Sequence, residues 1–562
     1  MTQAGGSANA GRSGMFAPLK EPTFRRIWSA SLLSNFGQLI LGVGAAWEMT
    51  RLSNSPSMVA LVQTAMMIPL MLVALPAGAL ADMFDRRKIA LIGLAFSILS
   101  SGALTAMAYF DMLTPDNPLA PWVLLGFCML IGAGVALYAP SWQASISEQV
   151  SSEHLPAAVA LGTISYNVAR SFGPALGGLI VLAAGAKAAF AINATFYFPL
   201  WIAFLFWRRS SSSSRLPPER IDRAIVSGAR YALHAPQVRT VLGRAFLFGL
   251  ASASGSALAP LIARDLLHGN ADVFGIILGA SGIGAVVGAL FVGYLRETLS
   301  TENSVKLAAI IAGAGMIGVS LSQSLMLTCI ALFFVGAFTT LTVALLNVGV
   351  QLSAPRWVTA RALSLYSSAL TGGIAFGAVL WGLVATRYGT AFAMSVSGAC
   401  VVASALLGLV MPLPRDNGSE TESVDIGHEP EVALALTMRS GPVIIEVEYH
   451  VDPENARTFY DIMLKVQKIR QRNGGFDWSL SRDIADPAIW TEHYHCPTWG
   501  DYLRMRDRYT QSDLDLQNSA DAFNTHGEGR RVRRRLERPF GSVRWKADSP
   551  DPQMGTVGYI GP

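Results

Sequence analysis

Twelve stretches of this chain are each apolar over enough residues to cross about 30 Å of hydrocarbon, and nothing else in the sequence constrains the fold so tightly. Their approximate limits are 27–50, 57–81, 88–110, 119–142, 158–184, 187–207, 240–263, 272–295, 304–324, 326–350, 362–385 and 389–411. Inside a bilayer every backbone N–H and C=O must be satisfied within its own segment or in a closed barrel. Runs of this length satisfy themselves as helices, so the expected class is an all-α polytopic membrane protein. A chain of 562 residues with 51% hydrophobic residues, 14% charged residues and a mean hydropathy of +0.39 is not composed like a soluble globular protein.

The sixth and seventh stretches are separated by Arg208 to Arg239, a polar connector with a serine run, Pro217-Pro218 and several arginines. The expected organisation is a cytoplasmic N-terminus (1–22), a six-helix bundle (23–207), the connector (208–239), a second six-helix bundle (240–411), a linker (412–439), a soluble domain (440–545) and a tail (546–562). Met1 to Gly14 has no apolar core and does not read as a signal peptide, which leaves the first span to direct insertion.

Orientation follows from Lys and Arg in short loops. Lys20, Arg25 and Arg26 precede the first span; Arg86, Arg87 and Lys88 follow the second; Arg296, Lys306, Arg356 and Arg361 follow the eighth and tenth. The opposite loops carry little beyond Arg51, Lys187, Arg264 and Arg387. Both termini and the connector are therefore expected in the cytoplasm and the chain in the cell (inner) membrane. The net charge of +5 is spread over these loops and one terminal segment, which argues against a nucleic-acid partner. Cys128, Cys329, Cys400 and Cys496 show neither metal-binding spacing nor a disulfide framework, and no cofactor is expected.

The two halves repeat weakly. Tyr166, Gly173 and Gly177 in the fifth span recur at the same spacing as Tyr366, Gly373 and Gly377 in the eleventh, and Gly78-Ala79-Leu80 matches Gly288-Ala289-Leu290. Such repeats put a substrate cavity at their interface, near mid-membrane. Beyond Pro414 the pattern changes. Val443–Val451, Phe476–Arg482, Ile489–His495 and Val532–Leu536 read as strands, and Pro453–Arg472, Thr498–Tyr509 and Leu514–Thr525 as helices. This β-α-β-β-α-β order is that of a ferredoxin-like α+β unit.

Several residues have chemistry that an apolar span must account for. Arg170 sits half-way through the fifth span, where a guanidinium is costly unless it faces water or a partner; it is the first candidate for anion binding or coupling, with a structural clamp as the alternative. Glu48 is a second coupling candidate, although Arg51 is placed to pair with it. Asn35, Gln38, Asn167 and Asn193 are amides in apolar helices, each serving as interhelical glue or as a substrate contact, and Tyr166 is an aromatic candidate for the cavity floor. Gly173, Pro174, Gly177 and Gly178 form a close-packing motif in which Pro174 frees the carbonyl of Arg170. In the soluble part, His450, His493 and His495 lie on strands without the carboxylate spacing of a metal or catalytic site.

Gly78-Ala79-Leu80-Ala81-Asp82-Met83-Phe84-Asp85-Arg86-Arg87-Lys88 resembles the loop between helices 2 and 3 of the major facilitator superfamily, with Met83 where an Arg is usual and Asp85 where a Gly is usual. Gly-Pro-x-x-Gly-Gly at 173–178 resembles the end of that superfamily's antiporter motif, with Ala160 and Ala169 in place of upstream glycines. Phe24-Arg25-Arg26-Ile27-Trp28, Ser34-Asn35-Phe36-Gly37, Leu52-Ser53-Asn54-Ser55-Pro56, Tyr138-Ala139-Pro140 and Pro156-Ala157-Ala158-Val159-Ala160-Leu161 resemble its enterobactin-exporter-like, or transmembrane secretion effector, branch. The soluble part resembles the dimeric α/β-barrel domains of antibiotic-biosynthesis monooxygenases.

The resemblance implies a twelve-helix major facilitator fold that exports a siderophore-like or drug-like small molecule by proton antiport. It also implies a cytoplasmic latch in which Gly78, Asp82, Arg86 and Arg87 meet the start of the eleventh helix near Arg361. The C-terminal domain is expected to self-associate. The competing classes are a membrane-anchored enzyme, whose tail oxidises what the bundle delivers, and a non-transporting sensor.

Overall fold

The computed structural model describes residues 16–83, 85–151, 154–207, 230, 234–355, 358–413, 432–434, 436–438, 440–526 and 529–537. The chain divides into a large helical unit within 1–413 and a second unit that holds everything from Pro414 onward together with 226–239 and 350–363. Residues 1–15, most of the connector, most of the linker and the tail beyond 537 lie outside the described residues.

The helical unit is built from α1 (Pro22–Leu52), α2 (Pro56–Met83), α3 (Arg86–Tyr109), α4 (Ala120–Ser145), α5 (Leu155–Phe206), α6 (Pro236–Ser252), α7 (Ala271–Thr298), α8 (Thr301–Leu321), α9 (Leu325–Ser353), α10 (Thr359–Tyr388) and α11 (Thr390–Ser404). Three of these begin on Pro, whose missing N–H costs nothing in the first turn. Asp85 caps α3, its carboxylate accepting from the Arg87 N–H at 3.0 Å. That is a local reason for an acid where the superfamily loop usually has Gly.

Among the described residues, ten helices are long and apolar enough to cross a membrane. α5 covers two of the expected spans, because Gly185 at φ 75° turns the chain back within it. Gly389 at φ 87° does the same between α10 and α11. Both are conformations that a side chain disfavours, and they stand at matching places in the two halves. α1, 31 residues long, falls outside the ten; Ser34, Asn35 and Gln38 dilute its apolarity. The expected seventh span, 240–263, is not one α-helix: α6 ends at Ser252 and short turns, the last a π-turn at Ile262–Leu266, carry the chain on.

The repeat read from spacing has a packing counterpart. A Cβ on Gly173 would lie 2.9 Å from the Leu39 side chain, and one on Gly177 3.0 Å from Val43, so these glycines let α5 approach α1. Gly373 and Gly377 do the same for α10 against Phe246 and Leu250 of α6. Gly288 faces the Ala337 backbone of α9.

The second unit contains β1 (Val443–His450), α12 (Ala456–Asn473), β2 (Phe476–Arg482), β3 (Ile489–Cys496), α13 (Trp499–Asp507), α14 (Gln511–Asp521) and β4 (Arg531–Leu536). Its antiparallel sheet has the order β2-β3-β1-β4. One face carries Val443, Ile445, Val447, Tyr449, Tyr494 and Cys496 into a core with Phe459, Met463 and Val466 of α12. Thr510 and Asp513 form a capping box that starts α14. Trp499 is buried in this core, as its place in the sequence suggests.

Candidate functional site

The two halves of the helical unit touch in a graded way. At the end carrying the Gly185 and Gly389 turns, Trp47 of α1 stacks on Phe274 of α7 with ring centroids 5.6 Å apart. Arg264 donates to the Thr50 carbonyl at 3.5 Å, and the Ser57 N–H to the Thr386 hydroxyl at 3.1 Å. Gly178 of α5 lies backbone to backbone against Gly275 of α7, and Gly382 of α10 fits over Ser57 and Ala60 of α2. Deeper, the Thr64 hydroxyl donates to the Ala375 carbonyl at 3.0 Å, and Met71 packs on Gly372 near the middle of α2 and α10. These recorded contacts between halves run from that end to mid-helix.

Arg170 stands near the middle of the first part of α5, about two turns before Gly178. On a helix of 3.6 residues per turn it is about 20° from Gly177, which faces α1, and about 80° in the other direction from Gly178, which faces α7. Its side chain therefore leaves α5 between the two helices, toward the other half of the molecule. It is half-buried, and Tyr366 of α10 lies within its electrostatic reach. Among the described residues Arg170 has no hydrogen bond and no ion pair. The Tyr366 hydroxyl donates to the Val343 carbonyl at 2.7 Å. Tyr166, one turn before Arg170, is half-exposed, and Pro174 follows inside the same helix.

The other sequence candidates divide by partner. Glu48 is buried and held by Arg51 at 3.1 Å, as their spacing suggests. Asn35 donates to the Ser165 hydroxyl at 3.4 Å, tying α1 to α5, and Asn193 donates to Ser101 at 2.8 Å while its own carbonyl oxygen stays buried and unpaired. Gln38 is half-buried with no partner among the described residues. Gly78, Asp82 and Asn167 lie in helices, but their side chains are outside the described residues. Arg361 is half-buried in the first turn of α10.

Arg86 donates to the Ala144 carbonyl at 2.7 Å and to Glu148 at 3.0 Å, and Arg87 donates to the Phe204 carbonyl at 3.0 Å and to that of Leu205. Both arginines thus hold the ends of helices in their own half, α4 and α5. The second half has an equivalent that its sequence does not advertise. Arg244, 3% exposed, pairs with Glu302 at 2.6 Å and donates to the Met411 carbonyl at 3.2 Å, while Glu302 accepts from the Leu413 N–H. The signal available was an Arg four residues after the start of the seventh apolar stretch with one acid near the start of the ninth.

In the sheet unit the histidines do come together in part: the rings of His493 and His495 are 4.8 Å apart, and His495 lies 3.6 Å from Glu537. His450 instead meets His526, 5.0 Å away. No group of three or more metal-binding side chains forms among the described residues. On the sheet face away from the helices, Glu446 pairs with Arg535 at 3.0 Å and Glu448 with Arg533 at 3.7 Å, each diagonal to its register partner on β4, Arg533 and Arg531 respectively. Arg531, Arg533 and Arg535 of β4 are therefore one stripe of a two-sign surface.

A sequence profile of the family described as transmembrane secretion effector matches residues 13–540. The staphyloferrin A transporter of Staphylococcus aureus is 22% identical over 66% of this chain and 91% of its own length. The enterobactin exporter EntS of Citrobacter koseri is 25% identical over 70% of this chain and 91% of its own. Among solved structures, the nucleoside transporter NupG superposes with a TM-score of 0.57 at 11% identity, covering 69% of this chain and 99% of that one. A bacterial homologue of the lysosomal transporter Spinster, inward-facing and unoccupied, gives 0.53 at 12% identity over 72% of this chain and 96% of its own.

Proposed function

Since the chain belongs to the transmembrane secretion effector family of the major facilitator superfamily, we propose that it exports a small amphipathic compound, siderophore-like or drug-like, across the cytoplasmic membrane in exchange for protons. The twelve crossings counted from the sequence fit a pair of six-helix bundles that rock about a central site. The observation that carries this reading is the contact between the halves at the end of the Gly185 and Gly389 turns, reaching to Thr64 and Ala375 near mid-helix, with the charged Arg170 at mid-helix on α5. In this reading the positive-inside loops lie in the cytoplasm, which makes the end of these contacts the outer one, the end an exporter closes while it loads. Glu48 is the proposed proton carrier, as a buried acid next to that closed end.

The C-terminal unit reads as a ferredoxin-like domain, since its sheet order is the one that βαββαβ connectivity gives. Its partner in this reading is a second copy of itself, which would cover the sheet face away from the helices, where Glu446 and Glu448 pair with Arg535 and Arg533 of the same chain. The test is uptake into everted vesicles of a deletion strain that expresses the chain, reading substrate accumulation and collapse of the pH gradient together. Glu48→Gln is expected to leave substrate exchange intact and to abolish the pH response. Movement of substrate into cells rather than out of them would overturn the direction.

A further inference from the structure

We infer that Arg170 is an anion-binding centre on the transport path, and that the substrate class it selects is an organic monocarboxylate with an apolar or aromatic body; this rests on the transport reading above. Among the described residues, four carboxylates of the helical unit are paired with cations other than Arg170: Glu48 with Arg51, Glu148 with Arg86, Asp265 with Arg264 and Glu302 with Arg244, while Asp85 caps α3. Arg170 stands apart from these pairs, mid-helix, half-buried, and without a hydrogen bond or ion pair among the described residues. A guanidinium at that depth stays charged, so its counter-charge must come from something that enters.

Position narrows the class. The Gly177 and Gly178 contacts aim Arg170 between α1 and α7, toward α10, so an anion held there touches both halves. A planar carboxylate accepts two parallel N–H bonds from the guanidinium fork. A phosphate monoester brings nearly two negative charges to a site offering one, and the surplus charge is costly to desolvate. Tyr366, within electrostatic reach of Arg170, has its hydroxyl donated to Val343, which leaves Arg170 as the charge-reading group of the two. Tyr166, half-exposed one turn away on the same side of α5, supplies a ring for the apolar body. The repeat adds a contrast: the residue of α10 at the place equivalent to Arg170 is Leu370, so one half reads charge and the other does not.

The test uses the purified full-length chain in detergent, with salicylate and decanoate as probes, each beside its neutral amide, and phenyl phosphate as the dianionic control. Calorimetric titration should show at least one carboxylate binding roughly tenfold or more tighter than its amide, as charge-assisted bonds imply, with phenyl phosphate weaker. Arg170→Gln should erase that discrimination, and Arg170→Lys should restore part of it. Thermal unfolding of each variant identifies any that has merely lost its fold, in which case Arg170→Lys alone carries the comparison. Wild-type protein that does not distinguish either carboxylate from its amide, or Arg170→Gln that still does, overturns the inference, and tighter binding of phenyl phosphate moves the class to phosphates and does the same. Substrate uptake that persists in everted vesicles when these probes fail leaves the transport reading standing, whereas carboxylate binding without such transport has the reverse meaning.

Discussion

Gly178 of α5 and Gly275 of α7 meet so closely that a Cβ on Gly178 would overlap the Gly275 Cα, and one on Gly275 would lie 3.1 Å from the Gly178 backbone. The contact joins the two halves at the end of the Gly185 and Gly389 turns, so in the rocking cycle proposed above it is made in only one of the end states. A branched side chain at Gly178 penalises that state selectively. Gly178→Val is expected to insert normally, to expose thiols introduced beside Trp47 to impermeant reagents from the outside, and to lower transport roughly tenfold or more, since two-state equilibria respond steeply to clashes in one state. Unchanged labelling and unchanged transport would show that the approach carries no weight in the cycle.

The loop after α2 makes a separable prediction. Arg86 and Arg87 grip helix ends in their own half, so Arg86→Ala removes charge-assisted bonds to Ala144 and Glu148 and is expected to cost about 1–3 kcal/mol of stability. Asp82→Asn, by contrast, is expected to leave the detergent melting temperature near the wild type and to slow turnover, because the proposed latch acts on one end state. Melting curves and efflux rates on the same two variants check this. Equal effects of both substitutions on both readouts would dissolve the distinction.

How far the sequence could be read depended on whether a feature is local. The helices follow from apolar length, and Gly173, Gly177, Gly373 and Gly377 announced their packing because close approach needs a missing Cβ in a spaced pattern. The other member of the Gly178 contact, Gly275, sits in no motif and is paired only by tertiary structure. Ion pairs behaved alike. Glu48 with Arg51 is one helical turn and was legible; Arg244 with Glu302 spans two helices and was not. The sheet's histidines were placed on strands correctly, yet His450 turned out to meet His526, a residue that alternation along β1 does not reveal. Arg170 was noticed because a charge mid-span is conspicuous at any distance from its neighbours.

Cys496 offers a readout of the C-terminal unit. It is 1% exposed, and burial, with the Asp501 charge adding to it, pushes its thiol up to about 12. At pH 8 only about one thiol in ten thousand is then ionised, and the thiolate is the nucleophile. Because the folded pKa is raised, the folded state holds its proton more tightly. The stability from this group is complete below the unfolded value and is lost as pH climbs from there toward 12. In a chain retaining only Cys496, alkylation by iodoacetamide at pH 8 is expected to be negligible until denaturant opens the sheet unit. Prompt labelling under native conditions would place Cys496 outside the core.

The strongest stability claim concerns Arg470 of α12 and Glu492 of β3. Their side chains are 6% and 0% exposed, joined by two bonds of 2.9 and 3.0 Å, with Trp478 donating to Glu492 at 2.9 Å and Gln517 accepting from Arg470 at 2.6 Å. The guanidinium also lies 5.1 Å from the Tyr494 ring centre. Neutralising one partner strands the other charge in an apolar core, whereas removing both strands none. Glu492→Gln is therefore expected to cost about 3–5 kcal/mol, and Arg470→Met with Glu492→Leu less than the sum of the two single changes. Urea unfolding of residues 440–545, followed by tryptophan fluorescence, measures all three. Strict additivity would mean that the pair is not coupled and that the core tolerates each charge alone.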